Sequence, residues 1–260
     1  VRQFTIDDAH HFVRPDQIQE EIRKLILLVV DFYKSFGFAP EFFFSTKPDK
    51  AMGDPKLWAQ AEKDLEKALK DAKVKYGVKE KDGAFYGPKI DIQIKDSQDR
   101  DWQLATIQLD FQIPERMELE YVDADGKTKR PVIVHRAILG SVERFIGIIT
   151  EHYQGSFPLW ISPVQVAILP ISDKHISHAK KIEKALREMN IRIQVFDKSD
   201  TLAAKIREAT LQKIPYLGII GDKEIDKNTI SVRTSAGKDL GIIDLSHFLQ
   251  KVTEEIDKKV

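Results

Sequence analysis

Between Asp82 and Phe111 the apolar residues of this 260-residue chain stop recurring every three or four positions and fall on every second one. Ile90, Ile92 and Ile94 alternate with Asp91, Gln93 and Lys95, and Ala105, Ile107, Leu109 and Phe111 alternate with Thr106, Gln108 and Asp110. A turn-rich Asp96-Ser97-Gln98-Asp99 separates the two runs. Side chains alternate across a strand, so this pattern specifies an antiparallel sheet with one apolar and one polar face. A further hairpin turns at Asp125-Gly126, with strands near Glu118 to Val122 and Lys129 to Val134. Phe42 to Thr46 is a short aromatic strand.

Helical spacing frames these strands. Pro15 opens a helix carrying Ile18, Ile22, Leu25, Ile26, Val29, Phe32 and Phe36 on one face, and Gly37 ends it. Leu57, Trp58, Ala61, Leu65, Ala68 and Leu69 line a second helix, and Ala137 to His152 reads as a third. Strands with segregated helices predict an α+β layer. After Gly155, Pro158 and Pro163 the pattern changes: strands at Val164 to Leu169, Ile191 to Phe196, Tyr216 to Ile220 and Thr229 to Thr234 alternate with helices at Lys174 to Asn190, Leu202 to Lys213 and Leu245 to Lys259. That alternation predicts an α/β domain with a mostly parallel sheet covered on both faces. The expected division is 1–158 and 159–260.

Composition removes whole classes of chemistry. With no cysteine, the chain has no disulfide, thiolate nucleophile or thiolate metal ligand, so a metal must use His, Asp or Glu. Lys plus Arg (41) equals Asp plus Glu (41), and no global field favours nucleic acid. No apolar run approaches the roughly 20 residues of a spanning helix, and the N-terminus carries no secretory pattern, so no membrane partner and a cytoplasmic location are expected. The chain opens without Met, inside what reads as a strand, which suggests a fragment.

Three groups of residues can carry chemistry. Tyr86, Lys89, Gln103, Thr106, Gln108 and Asp110 give the sheet enough hydrogen-bonding capacity to line a pocket, although a solvated face would show the same alternation. His10, His11 and His135 lie in or beside apolar runs; two imidazoles from distant segments with Asp8 would make an open three-ligand metal site, the alternative being that His135 is a hydrogen-bonded core residue. Arg136 and Arg144 bracket Gly140-Ser141 on the apolar helix, where a glycine admits a close approach and an arginine fork suits phosphate, the alternative being an arginine that snorkels at the edge of a core helix. In the second half, Gly221-Asp222-Lys223-Glu224 and a strand bearing Arg233 form a polar edge able to read unstacked bases or simply to turn at the surface.

Four words of sequence together resemble the threonyl-tRNA synthetases, class II aminoacyl-tRNA ligases: Phe4-Thr5-Ile6-Asp7-Asp8-Ala9-His10, Gly83-Ala84-Phe85-Tyr86-Gly87-Pro88-Lys89, Gln108-Leu109-Asp110-Phe111, and the run His135 to Phe145, which is similar to the third signature motif of that class. The likeness continues through Val164-Gln165-Val166 and Gly221-Asp222-Lys223-Glu224 to Gly237-Lys238-Asp239-Leu240-Gly241. It implies an α+β catalytic domain on an antiparallel sheet, N-terminally truncated, followed by an α/β anticodon-binding domain. It also implies the activity, in which threonine is activated with ATP and Mg2+ to threonyl-adenylate and passed to threonine tRNA.

By the same resemblance His10 and His135 match two of three zinc ligands, and Asp8, Tyr86 and Gln108 match the threonine pocket. Gln103 and Arg144 match ATP contacts, Lys89 and Arg144 take catalytic places, and Glu224 and Arg233 match readers of the anticodon. Homodimerisation belongs to the intact family member. Departures from the pattern are Ile6 in place of a usual Gln, and Ser199 and Lys213 in place of Asn and Arg. The family's zinc cysteine, its first motif and an ATP-binding arginine match positions upstream of Val1, so with one metal ligand and one phosphate-binding arginine missing the chain alone is expected not to form the adenylate; no editing domain is matched either. The alternative is a synthetase-like RNA-binding or regulatory paralogue that uses the sheet as scaffold; a prolyl or histidyl relative would lack the pairing of Asp8-Ala9-His10 with His135.

Overall fold

Residues 1–259 are described by a computed structural model, and they divide into two units, Val1–His152 and the chain from Tyr153 onward. In the first unit Ala9–Val13 is β1, and a 3-10 turn at Pro15–Gln17 leads into α1, Ile18–Ser35. Then follow β2 (Glu41–Ser45), α2 (Pro55–Asp71), β3 (Tyr76–Lys79), β4 (Lys89–Lys95), β5 (Asp101–Asp110), α3 (Gln112–Arg116), the short pair β6 (Tyr121–Val122) and β7 (Thr128–Lys129), β8 (Val132–Ala137) and α4 (Val142–His152). Six strands make one sheet in the order β1-β8-β5-β4-β2-β3, antiparallel throughout except for the parallel β2 and β3 pair.

The helical spacing read from the sequence is what buries α1. Ile18, Ile22, Leu25, Ile26, Val29 and Tyr33 share one stripe, all at or below 3% exposure. Trp58, Ala61, Leu65, Ala68 and Leu69 do the same on α2, which packs against α1. At about 1.5–3 kcal/mol for each large apolar side chain, such stripes supply most of what holds helices to the sheet.

Three details depart from the expected pattern. Part of the polar face of β4 and β5 is buried: Asp91, Gln108 and Asp110 are exposed by 0%, 9% and 1%. The segment from Ala137 is strand end and turn, and the helix starts only at Val142, because Gly140 sits at φ +67, a left-handed conformation that breaks a right-handed helix. The strand expected from Lys129 to Val134 is split around Pro131, which has no N–H for a ladder, so β7 stays in its hairpin while β8 joins the large sheet.

In the second unit β9 (Val166–Pro170), α5 (Ile176–Glu188), β10 (Ile193–Val195), α6 (Leu202–Leu211), β11 (Tyr216–Ile220), α7 (Asp222–Lys227), β12 (Thr229–Thr234), β13 (Asp239–Asp244) and α8 (Leu245–Lys258) follow in order. The sheet runs β10-β9-β11-β12-β13 and is mixed: the first three strands are parallel, and β12 and β13 close it antiparallel. β13 escaped the sequence reading because its side chains are mostly exposed and show no apolar alternation. Ala179, Ile182, Leu186, Phe248 and Val252 pack one face of the sheet, and Ala209 with Phe196 and Leu217 the other. Among the described residues no helix is long and apolar enough to cross a membrane.

The hydroxyl of Tyr33, fully buried on α1, donates to the carbonyl of Ile138 in the turn after β8. Tyr33→Phe keeps the ring and strands that carbonyl, so urea unfolding should show a loss of about 1–3 kcal/mol with an unchanged m-value.

Candidate active site

Residues directly opposite in an antiparallel ladder project from the same face, and the register of this sheet aligns His10 with His135, His135 with Gln108, Gln108 with Lys89 and Lys89 with Ser45. Five residues drawn from between His10 and His135 in sequence thus form one row across five strands. A cleft of about 910 Å³ opens over the row's centre and is lined among others by Phe4, Asp8, Tyr86, Gln108, His135 and Arg144.

One end of the row gathers a carboxylate and two imidazoles. Asp8, His10 and His135 each offer a ligand atom within 4.8 Å of the others, and the two rings meet edge to face at 4.4 Å. His135 Nε2 lies 3.2 Å from Asp110 Oδ2; a carboxylate only accepts, so Nε2 carries the hydrogen and the Nδ1 lone pair is left on the side of Asp8, 3.9 Å away. Burial opposes the Asp110 charge, yet hydrogen bonds from His135 and from the Ile113 and Gln112 N–H groups hold its pKa below the ordinary carboxylate value. This is the orientation a metal-bound imidazole requires, and a donor set of two imidazoles and a carboxylate fits zinc. His11, the third histidine considered, turns away to Glu21 at 2.9 Å.

Next along the row the Tyr86 hydroxyl donates to Gln108 Oε1 at 2.8 Å, which leaves the Gln108 amide hydrogens for another acceptor. Burial, then the Asp110 and Asp8 charges, raise the Tyr86 pKa and keep it a neutral donor. Gly87 lets this loop close, because a Cβ there would stand 1.8 Å from the Leu109 carbonyl oxygen.

At the other end, Lys89 Nζ and Gln103 Nε2 both bond Asp91, at 2.6 Å each. Arg144 is exposed, donates to the Gln103 carbonyl at 3.0 Å, and stands 5.9 Å from the Trp102 ring centre. The glycine beside it serves the close approach anticipated, though from a turn and not a helix: a Cβ on Gly140 would meet Arg144 at 2.6 Å and the Leu104 carbonyl at 3.0 Å. Arg136 belongs elsewhere, on Asp7.

The chain before β1 is tied down by acids that the sequence reading passed over. Asp7 accepts from the Ile138 and Leu139 N–H groups, each at 2.9 Å, and Thr5 N–H donates to Glu143 at 3.0 Å. Their signal was the Asp7-Asp8 doublet and a glutamate opening α4, features too common to single out. Phe4 was missed as well; it lines the cleft and is 57% exposed, a free aromatic face.

In the second unit Glu224 and Arg233 are not joined by any bond among the described residues. Glu224 is buried and its carboxylate accepts from Gly221 N–H at 3.0 Å, capping α7, while Arg233 lies half-buried on β12 opposite Leu217.

Residues 1–153 match the family described as tRNA synthetase class II core domain (G, H, P, S and T), and residues 165–255 match the anticodon binding domain. The chain belongs to the class II tRNA synthetases. Its relatives include threonine-tRNA ligases of Caldanaerobacter subterraneus subsp. tengcongensis, 51% identical over all of this chain and 40% of that protein, and of Acetivibrio thermocellus, 48% identical over 41% of that protein. The chain therefore spans about two fifths of the length of the curated relatives it matches. Among solved structures, the RNA binding domain of threonyl-tRNA synthetase from Cryptosporidium parvum Iowa II superposes with a TM-score of 0.89 at 38% identity, covering 98% of this chain and 64% of that one. The threonyl-tRNA synthetase ThrRS-1 of Aeropyrum pernix gives 0.77 at 26% identity, over 100% of this chain and 64% of that one. The α+β class II core followed by an anticodon-binding domain is the architecture expected from the sequence.

Within this class II core the Thr5 tie is acid-sensitive. The Thr5 N–H, then Glu143's own N–H and the Ser141 hydroxyl, bring the Glu143 pKa from 4.5 down to about 2. A carboxyl depressed in the fold contributes above its unfolded value, so the tie is whole above pH 4.5 and is lost as pH falls through about 2. Hydrogen exchange at Thr5, corrected for the intrinsic rate, should lose its protection across that window, and Glu143→Ala should abolish the protection at every pH.

Proposed function

We propose that this chain is part of a threonine-tRNA ligase, carrying the pocket that selects threonine, the contacts that hold ATP and the surface that reads the anticodon. The observation that carries the reading is the convergence of Asp8, His10 and His135 at one end of the cleft, with Asp110 behind His135.

His10 and His135 would hold zinc, which when bound offers a Lewis-acid position for the amino and hydroxyl groups of the amino acid. Asp8 stands beside them to accept hydrogen bonds from the substrate amino group, and Gln108, its orientation fixed by Tyr86, keeps its amide hydrogens for a substrate oxygen. Valine is nearly isosteric with threonine, and an apolar pocket separates such a pair poorly, whereas a site built to engage the hydroxyl leaves valine with unmet partners. On the other side of the cleft Gln103 and Arg144 would hold ATP with its Mg2+. A carboxylate oxygen of threonine then bonds to the α-phosphorus as the bond to pyrophosphate breaks, and Arg144, with Lys89 nearby, stabilises the charge that builds on the phosphate oxygens.

Equilibrium dialysis against Zn2+ tests the decisive part. His10→Ala and His135→Ala should each weaken Zn2+ binding at least about 10-fold, while His11→Ala leaves it unchanged. In the full-length ligase threonine, and not valine, should support ATP-pyrophosphate exchange. A protein that binds tRNA but neither Zn2+ nor ATP would be the RNA-binding paralogue instead.

For the second unit the anticodon assignment rests on Arg233, because Glu224→Ala would also uncap α7. Arg233→Ala should cost about 1–3 kcal/mol in affinity for threonine tRNA, read by fluorescence anisotropy, and should narrow the gap to a tRNA of another anticodon.

A further inference from the structure

The polar face of the first unit rests on two buried aspartates, one on each of the neighbouring strands β4 and β5. Asp110 holds His135 and so belongs to the amino-acid end of the row. Asp91 has no part in the reading above, yet it is 0% exposed and collects three side chains: Ser45 Oγ at 2.8 Å, Lys89 Nζ at 2.6 Å and Gln103 Nε2 at 2.6 Å.

Gln103 reaches Asp91 only because of a fault in the ladder. Ile92 pairs with Ala105 and Gln93 with Gln103, so Leu104 is an extra residue on β5. By strict alternation Gln103 would share a face with Ala105 and Ile107, both fully buried; the bulge turns it onto the face of Lys89 and Asp91. The consequence is chemical. A carboxylate paired with an ammonium only accepts, so Gln103 must give it the amide nitrogen, and its Oε1 is left to receive a hydrogen bond from outside. The same residue's backbone carbonyl receives Arg144. Asp91 thus sets which way the Gln103 amide faces, on the residue whose backbone carbonyl receives Arg144, a side chain that lines the cleft.

We propose that Asp91 is the positioning residue of the nucleotide half of the site: it fixes the Lys89 ammonium and the polarity of the Gln103 amide so that both meet ATP, while Asp110 serves the amino-acid half separately. This rests on the functional reading only for the identity of the nucleotide. Neither aspartate touches substrate; each acts through the groups it holds.

ATP affinity, measured by fluorescence titration on the full-length ligase, and threonine-dependent ATP-pyrophosphate exchange test it as two separate readouts. Asp91→Asn should raise the ATP Kd by about 10-fold or more, as loss of an orienting partner typically does, and leave the KM for threonine within about two-fold. Asp91→Glu, which restores the charge, should recover most of the ATP affinity. Ser45→Ala removes one donor from the same carboxylate at small cost to packing and should raise the ATP Kd less than Asp91→Asn; it decides the matter if Asp91→Asn does not fold. An ATP Kd unchanged in the folded Asp91→Asn protein, or in Ser45→Ala where that stands in, overturns the proposal. So does a rise in the threonine KM equal to that for ATP, which is what general loosening of the sheet would give. Wild-type protein that binds ATP in an Asp91-dependent way but shows no exchange with threonine refutes the ligase reading and leaves the role of Asp91 standing.

Discussion

Register is the constraint on which this site depends. His10 faces His135, His135 faces Gln108, Gln108 faces Lys89, and Lys89 faces Ser45 because four antiparallel ladders agree on where to start counting. A slip of one residue in any ladder would move a whole set of side chains to the other face. Here such a slip would carry a polar residue into the apolar core beneath α1, so the same burial that stabilises the unit also fixes the row.

Beside that row Asp91 and Asp110 are buried, and a buried carboxylate without partners is costly. Asp110 answers with an imidazole and two backbone N–H groups, Asp91 with an ammonium, a hydroxyl and an amide. Each network is local, and among the described residues no side-chain hydrogen bond joins the two. The centre of the face is therefore polar yet buried, a condition under which hydrogen bonds are strong and side chains are held in place.

Much of this was legible from residues alone, and what was not has identifiable causes. Strict alternation located β4 and β5, and the i, i+3, i+4 spacing located α1 and α2, since burial writes those periods directly into sequence. Asp8, His10 and His135 were singled out because imidazoles beside apolar runs are few in a chain with 7 histidines and no cysteine. Asp91 was visible only as one polar residue in an alternating strand; its partners come from β2 and from beyond a bulge, and neither a pairing partner nor an inserted residue leaves a local mark. The helix expected from Ala137 failed for a different reason: Ile138 and Leu139 continue the apolar spacing of α4, and only the left-handed φ of Gly140 separates the turn from the helix. β13 carried no periodic signal at all.

Discrimination by hydrogen bonding, beyond what shape alone gives, needs the engaging groups held before a ligand arrives. The chain meets that need by placing His135, Gln108 and Lys89 on strands and confining loops to Tyr86 and the segment before β1, both of which are then tied: Tyr86 to Gln108, and Asp7 to the turn that follows β8. Because Asp7 bonds the N–H groups of Ile138 and Leu139, and Tyr33 bonds the carbonyl of Ile138, one turn anchors the loop carrying Asp8 and the helix backing the sheet. Gly140 closes that turn and makes room for Arg144. The Asp8 end and the Arg144 end of the cleft are thus referred to a single short segment, Ile138 to Gly140, so a displacement there would move Asp8 and Arg144 together and preserve the distance between the two ends.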